Sequence, residues 1–230
     1  LRYLIGADAD DPGGPLWAGH PGYVVELPYD GANPQLVKFQ REHGAAEVVG
    51  YCNLLAENGY PDRYKPYAKD QSGTPGEWHE GRIDVQGPGF ALNINDQLSK
   101  WRAAGVVIVE FDNLDSYHFN DCLTAFARAT LVGFTVVLKN PALVEKGNLL
   151  FARTRGCITE ADSGSCSFAN ANRPSPQYPV WFVCNHGEKP WGMQRASVIE
   201  ANKYRCMGVT WCPSSDDYSQ ATDICKGSWP

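Results

Sequence analysis

The run Gly105-Val106-Val107-Ile108-Val109-Glu110-Phe111-Asp112-Asn113-Leu114-Asp115-Ser116-Tyr117-His118-Phe119 decides how the rest of the chain is read. Its first part is dominated by Val and Ile, the composition of a strand buried on both faces in a parallel sheet covered by helices. Three carboxylates then follow within six positions, Glu110, Asp112 and Asp115. A carboxylate is expensive to desolvate unless it is paired or hydrogen-bonded, so three of them do not crowd the end of a buried strand without a reason. In α/β folds the carboxyl ends of parallel strands are where ligands bind. Glu110 and Asp112 are two apart and share one strand face, while Phe111 faces the other way, toward the helices.

Outward from this strand the pattern repeats. Strands are expected at 3–7, 23–27, 47–53, 134–140, 156–162, 180–184 and 207–212, each a short apolar run bounded by turn residues. Asn33-Pro34 opens a helix carrying Leu36, Val37 and Phe39 and ended by Gly44. A second helix covers 90–104, with Leu92, Leu98 and Trp101 on the inner face and Gly105 as its cap. A third runs over about 120–132 to Gly133, and helical segments follow at 141–150 and 194–205. Eight strands separated mostly by helices predict an α/β protein, a single (β/α)8 barrel over residues 1–230. Residues 54–84 have no clear period and are rich in Tyr, Pro and Gly, which predicts an enlarged loop after the third strand. Its aromatics Tyr60, Tyr64, Tyr67 and Trp78 either stack on a ligand or pack the loop down.

Composition narrows the partners. The 230 residues are 43% hydrophobic and 20% charged, ordinary for a folded chain, with a net charge of −6. No Lys/Arg run stands out, which argues against nucleic acid, and an acidic balance suits a cationic ligand. No apolar run reaches the roughly 18 residues of a membrane helix, so no membrane partner is expected; the chain is read as a monomer. Eight cysteines (Cys52, Cys122, Cys157, Cys166, Cys184, Cys206, Cys212 and Cys225) suit a disulfide-bonded, secreted protein. Cys157 with Cys166 is the best local pair, and Cys206, Cys212 and Cys225 would pair among themselves or with Cys184. Buried free thiols are the alternative for those in strands.

In a barrel the strand ends converge on one face. They would bring together Glu26; Tyr51 and Asn53; Glu110, Asp112 and the adjacent Asn113; Lys139 and Asn140; Glu160; Trp181; and Trp211. Amides and carboxylates bind hydroxyls and aromatic faces cover the apolar side of a sugar, so this set suits a carbohydrate. Glycoside hydrolysis needs one protonated carboxyl group to help the leaving oxygen depart, and a second, ionised one to attack or to activate water. Asp112 and Glu160 are the expected pair, with Asp112 as nucleophile or base and Glu160 as general acid. The others are expected to contact substrate, and several have a second reading. Glu110 fits a hydrogen-bonded structural acid, Asp115 either caps the next helix or touches substrate, and Lys139 either binds ligand or pairs with Asp112 or Glu160. The histidines lack metal-ligand spacing, so neither a metal nor a cofactor is expected.

Read as a whole, residues 109–117 (Val-Glu-Phe-Asp-Asn-Leu-Asp-Ser-Tyr) resemble the EPDNxDGY motif of the glycoside hydrolase family 114 endo-α-1,4-polygalactosaminidases and their bacterial relatives. Four further segments occur in that family's order. They are Val48-Val49-Gly50-Tyr51-Cys52-Asn53 with Glu57 and Tyr64 downstream; Glu77-Trp78 and Ile83-Asp84-Val85; Leu138-Lys139-Asn140; and Ile158-Thr159-Glu160. The resemblance spans about residues 22–185. It implies that Asp112 and Glu160 match the family's catalytic carboxylates, and that the substrate is an α-1,4-linked, galactosamine-rich polymer cut internally. Phe111 stands where the motif has Pro, Ser116 where it has Gly, and Thr159 and Ala161 where Asn and Gln flank the Glu. These departures keep both carboxylates and change their surroundings. A hydrolase of another aminosugar or uronic polymer, and a catalytically silent barrel that only binds carbohydrate, are the alternative functions.

Overall fold

A computed structural model of the chain describes residues 3–4, 23–28, 32–55, 68–69, 81–114, 117–139, 156–160, 180–184, 208–211 and 222–223. For 3–4, 23, 68–69, 119, 157–160, 180–184, 208–211 and 222–223 the description is of the backbone.

The strands, in chain order, are β1 (Tyr3–Leu4), β2 (Tyr23–Leu27), β3 (Ala45–Asn53), β4 (Ala68–Lys69), β5 (Arg82–Ile83), β6 (Ile108–Asp112), β7 (Thr135–Lys139), β8 (Gly156–Glu160), β9 (Val180–Cys184), β10 (Gly208–Trp211) and β11 (Thr222–Asp223). The helices are α1 (Pro34–Glu42), α2 (Pro88–Ala103) and α3 (Phe119–Leu131). One sheet has the order β1-β2-β3-β6-β7-β8-β9-β10-β11. Each of its pairings is parallel from β1 to β10, and β11 is added antiparallel to β10. The eight expected strands are thus the eight parallel ones, placed in chain order. β10 also comes within 8 Å (Cα–Cα) of β1, so the two ends of the parallel series approach each other. Between β3 and α2, β4 and β5 form a separate antiparallel pair. The expected helices at 141–150 and 194–205 lie outside the described residues.

The helices begin and end where local chemistry says they should. Asn33 caps α1 by accepting the Gln35 N–H at 2.8 Å, and Pro34 occupies the first turn, where its missing N–H is no loss. α2 and α3 close with matching hydrogen bonds. Val106 N donates to Trp101 O and Gly105 N to Arg102 O; Phe134 N donates to Ala129 O and Gly133 N to Thr130 O. This arrangement puts the residue after the cap in the left-handed region, where Gly105 (φ 81°) and Gly133 (φ 89°) sit without a Cβ penalty.

The core lies between the sheet and these helices. Val25 and Leu27 of β2, Val48 and Cys52 of β3, Val109 and Phe111 of β6, and Val136 and Leu138 of β7 pack there against Leu36, Ile94, Leu98, Trp101 and Phe126. Phe111 meets Phe126 of α3 with ring centroids 5.5 Å apart, as the alternation of the strand implied. Two details differ from the sequence reading. Leu92 is exposed (44%), because the buried stripe of α2 runs Phe90, Ile94, Leu98, Trp101 and position 92 turns away from it. Cys52 and Cys122 are buried in the core as thiols and form no disulfide. The remaining cysteines lie outside the described side chains.

Candidate active site

On the opposite face of the sheet the strand alternation delivers polar groups. Glu26 follows Val24 on β2, Tyr51 and Asn53 follow Val49 on β3, Glu110 and Asp112 share β6, and Lys139 follows Val137 on β7. The register aligns them laterally: Glu26 lies opposite Val49, Tyr51 opposite Glu110, Asn53 opposite Asp112, and Glu110 opposite Val137.

Asp112 is the meeting point. Its Oδ2 accepts the Tyr51 hydroxyl at 3.2 Å and lies 3.4 Å from the Lys139 ammonium. Its Oδ1 accepts the backbone N–H of Asn113 at 2.7 Å. The Lys139 ammonium stands 5.1 Å from the centre of the Tyr51 ring, so the phenol offers it a π face as well. The Lys139 and Asp112 side chains are 8% and 18% exposed, so the pair is little screened by water. Of the two sequence readings of Lys139, the structure displays the ion pair with Asp112. Asn53 and Glu110 are wholly buried and Glu26 nearly so, which puts them beneath this group rather than on its surface.

The support comes from α2. Gln97 Oε1 accepts the Asn53 N–H at 2.8 Å, and Gln97 Nε2 donates to the Asn53 carbonyl at 2.9 Å. Asn93 Nδ2 donates to the same carbonyl at 3.2 Å. The Asn53 side-chain oxygen accepts Asn113 Nδ2 at 2.7 Å and the Leu55 N–H at 2.9 Å. Asn113 has φ 60°, the one non-glycine residue at positive φ among those described. Asn tolerates that region better than other side chains. Trp101 adds a donor from below, Nε1 to the Tyr51 carbonyl at 2.9 Å, and its indole lies against Gly50, where a Cβ would overlap the ring. Sequence reasoning passed over Asn93 and Gln97. The available signal was an Asn-x3-Gln pair on the buried stripe of an amphipathic helix, where polar residues need partners.

Tyr117 ties the neighbouring segments together. Its hydroxyl donates to the Leu54 carbonyl at 2.7 Å and accepts the Ile83 N–H at 2.9 Å, and Arg82 lies 5.2 Å from its ring centre. Burial pushes its phenol well above the ordinary range, against the opposing pull of the Ile83 N–H and Arg82. Burial first and the Glu110 carboxylate second also push the Cys52 thiol up, so it stays protonated and is a packing group rather than a nucleophile.

Glu160 is the last residue of β8, two strands from β6. Ile158 lies opposite Lys139 and Trp181 opposite Ile158, so by register Glu160 and Trp181 fall on the sheet face of Lys139, and Trp211 on the alternate one. Trp78, Asp115 and Asn140 lie outside the described residues. Among the described residues no group of three or more His, Cys, Asp or Glu is placed to hold a metal ion, and no helix is long and apolar enough to cross a membrane.

No family model matches the chain, and no curated protein matches it. Solved structures do. Ega3 of Aspergillus fumigatus, in complex with galactosamine, superposes with a TM-score of 0.65 at 14% identity, over 93% of this chain and 91% of that one. The glycoside hydrolase domain of PelA from Pseudomonas aeruginosa gives 0.61 at 12% identity, over 94% and 95%. The maltogenic α-amylase AmyB of Thermotoga neapolitana gives 0.54 at 11% identity, over 83% of this chain and 60% of that one. The protein therefore has an α/β fold shared with glycoside hydrolase domains. At 11–14% identity these likenesses are likenesses of fold.

Proposed function

We propose that this protein is a secreted glycoside hydrolase that cuts internal α-1,4 bonds of a galactosamine-rich polysaccharide, using Asp112 and Glu160. The observation that carries the proposal is Asp112 at the carboxyl end of β6, with Tyr51 and Lys139 both on one of its oxygens. A cation and two hydrogen-bond donors on its two oxygens fix the orientation of this carboxylate at the strand end, as a nucleophile or general base needs. Glu160, at the end of β8, is then the general acid that protonates the leaving oxygen. The approach of β10 to β1 supports closure of the eight parallel strands into one (β/α)8 barrel, with residues 54–84 read from the sequence as an enlarged loop after β3. The galactosamine complex of Ega3 supports an aminosugar substrate, and the net charge of −6 suits a cationic polymer. Trp78, Asp115, Asn140 and Trp181 are assigned to substrate contact on the sequence pattern alone; Trp211, expected there too, falls by register on the alternate face of the sheet and is left out of the site. The enzyme is proposed to act as a monomer on polysaccharide, without a cofactor.

The test is reducing-end release by wild type, Asp112→Asn and Glu160→Gln on polygalactosamine, its partly acetylated form, chitosan and a uronic polymer. Release from the galactosamine polymer should fall by about a hundredfold or more in each variant. Release from another polymer only would replace the substrate and keep the carboxylates. Binding without release from any of them would mark a carbohydrate-binding protein.

A further inference from the structure

The buried amides beneath Asp112 form a continuous chain whose purpose the site chemistry does not by itself explain. It starts on α2, where Gln97 holds both the N–H and the carbonyl of Asn53, at 2.8 and 2.9 Å. It passes through the Asn53 side chain to Asn113 Nδ2 at 2.7 Å and ends where the Asn113 N–H meets Asp112 Oδ1 at 2.7 Å. Asn53, Asn93 and Gln97 are wholly shut off from solvent. An apolar residue would pack α2 against the sheet without the demand for partners that a buried amide imposes. Asn113, meanwhile, holds φ 60°, a conformation that persists only where the surroundings impose it.

We propose that Gln97 and Asn53 are positioning residues: through the Asn113 side chain they hold the Asn113 backbone in the left-handed region, and so aim its N–H at Oδ1 of Asp112. Neither touches substrate. They act on the carboxylate through the peptide that joins Asp112 to Asn113, whose N–H lies on Oδ1. With Tyr51 and Lys139 on Oδ2 and the Asn113 N–H on Oδ1, the carboxylate is gripped at both oxygens and its plane is set before substrate arrives. The catalytic part of this inference rests on the glycoside hydrolase reading; the positioning part does not need it.

Two variants separate the relay from general stability. Asn113→Gly deletes the tether and keeps positive φ accessible, at a half-buried position where folding is safe. Gln97→Met keeps the volume and removes the grip on Asn53. In protein carrying 13C-labelled aspartate, the Asp112 carboxyl resonance is identified by its loss in Asp112→Asn. At one fixed pH it should be displaced in both variants relative to wild type, with the other resonances in place. In the release assay kcat should fall by about ten- to a hundredfold in both, with KM within about twofold, because misaiming a reacting group costs rate rather than binding. The double variant should be no slower than the worse single one, since both act through Asn113. A carboxyl resonance unmoved in Asn113→Gly overturns the proposal even if Gln97→Met fails to fold. Failure of the glycoside hydrolase reading would show separately, as wild type releasing nothing while the resonance still moves.

Discussion

Asp112 sits among groups that are individually common and jointly unusual: a lysine, a phenol and a backbone N–H on two oxygens. Lys139 and Asp112 depend on each other because both are largely withdrawn from water. Lys139→Met should therefore destabilise the fold by about 1–3 kcal/mol, less than the 3–5 of a fully buried pair because Asp112 keeps some solvent. Denaturant unfolding of Lys139→Met, Asp112→Asn and the double variant would measure the coupling, and strict additivity would mean the pair contributes nothing. Tyr117 makes a different kind of prediction. Its folded phenol titrates above the value near 10 expected in the unfolded chain, so the stability it supplies is whole below about pH 10 and drains away as the pH climbs from there. Tyr117→Phe removes that alkaline dependence. It also leaves the Leu54 carbonyl and Ile83 N–H without this partner, at a cost of about 1–3 kcal/mol at neutral pH. Equal slopes of stability against pH above 10 in both proteins would refute the assignment.

The elements were largely visible as patterns. Period two placed Glu110 and Asp112 on one face and Phe111 on the other. Asn33-Pro34 marked the start of α1, and Gly105 and Gly133 marked helix ends because a left-handed cap favours glycine. What the pattern blurred was the rotation of α2. Leu92 fitted a hydrophobic reading, but the true stripe includes Asn93 and Gln97, which a polarity count assigns to solvent. Two glycines separate local from tertiary demands. At Gly105 a Cβ would meet nothing nearer than 3.9 Å, so Gly105→Ala costs only the left-handed backbone, about 1–2 kcal/mol. At Gly50 the Cβ would enter the Trp101 indole, and Trp101 must shift and release the Tyr51 carbonyl. Gly50→Ala should thus cost about 1–3 kcal/mol for overpacking and also depress activity through Tyr51, whereas Gly105→Ala should leave activity intact. Thermal unfolding beside the release assay distinguishes them.

Across the whole molecule, parallel strands laid side by side in chain order put every carboxyl end on one rim, so residues far apart in sequence share a site. The net charge of −6 favours the approach of a cationic polymer to the molecule as a whole. If the substrate is a polyamine sugar, raising NaCl from about 0.05 to 0.5 M, which shortens the Debye length several-fold, should raise KM for the free-amine polymer. The same change should leave KM for the fully acetylated polymer unchanged. An equal response of the two would show that the protein's charge plays no part in recognition.

The eight strands, the helix start at Asn33-Pro34 and the helix ends at Gly105 and Gly133 were determined by the sequence alone, because each rests on spacing within a few residues. The partners of Asp112 were decided by tertiary structure. Tyr51 reaches it across 61 positions of sequence, and Gln97 takes hold of Asn53 across 44. Sequence left Lys139 as either ligand group or ion-pair partner, because its role depends on a distance between two strands. The amide chain under the site was invisible for the same reason: a buried Gln looks like a surface Gln until the sheet is laid against it.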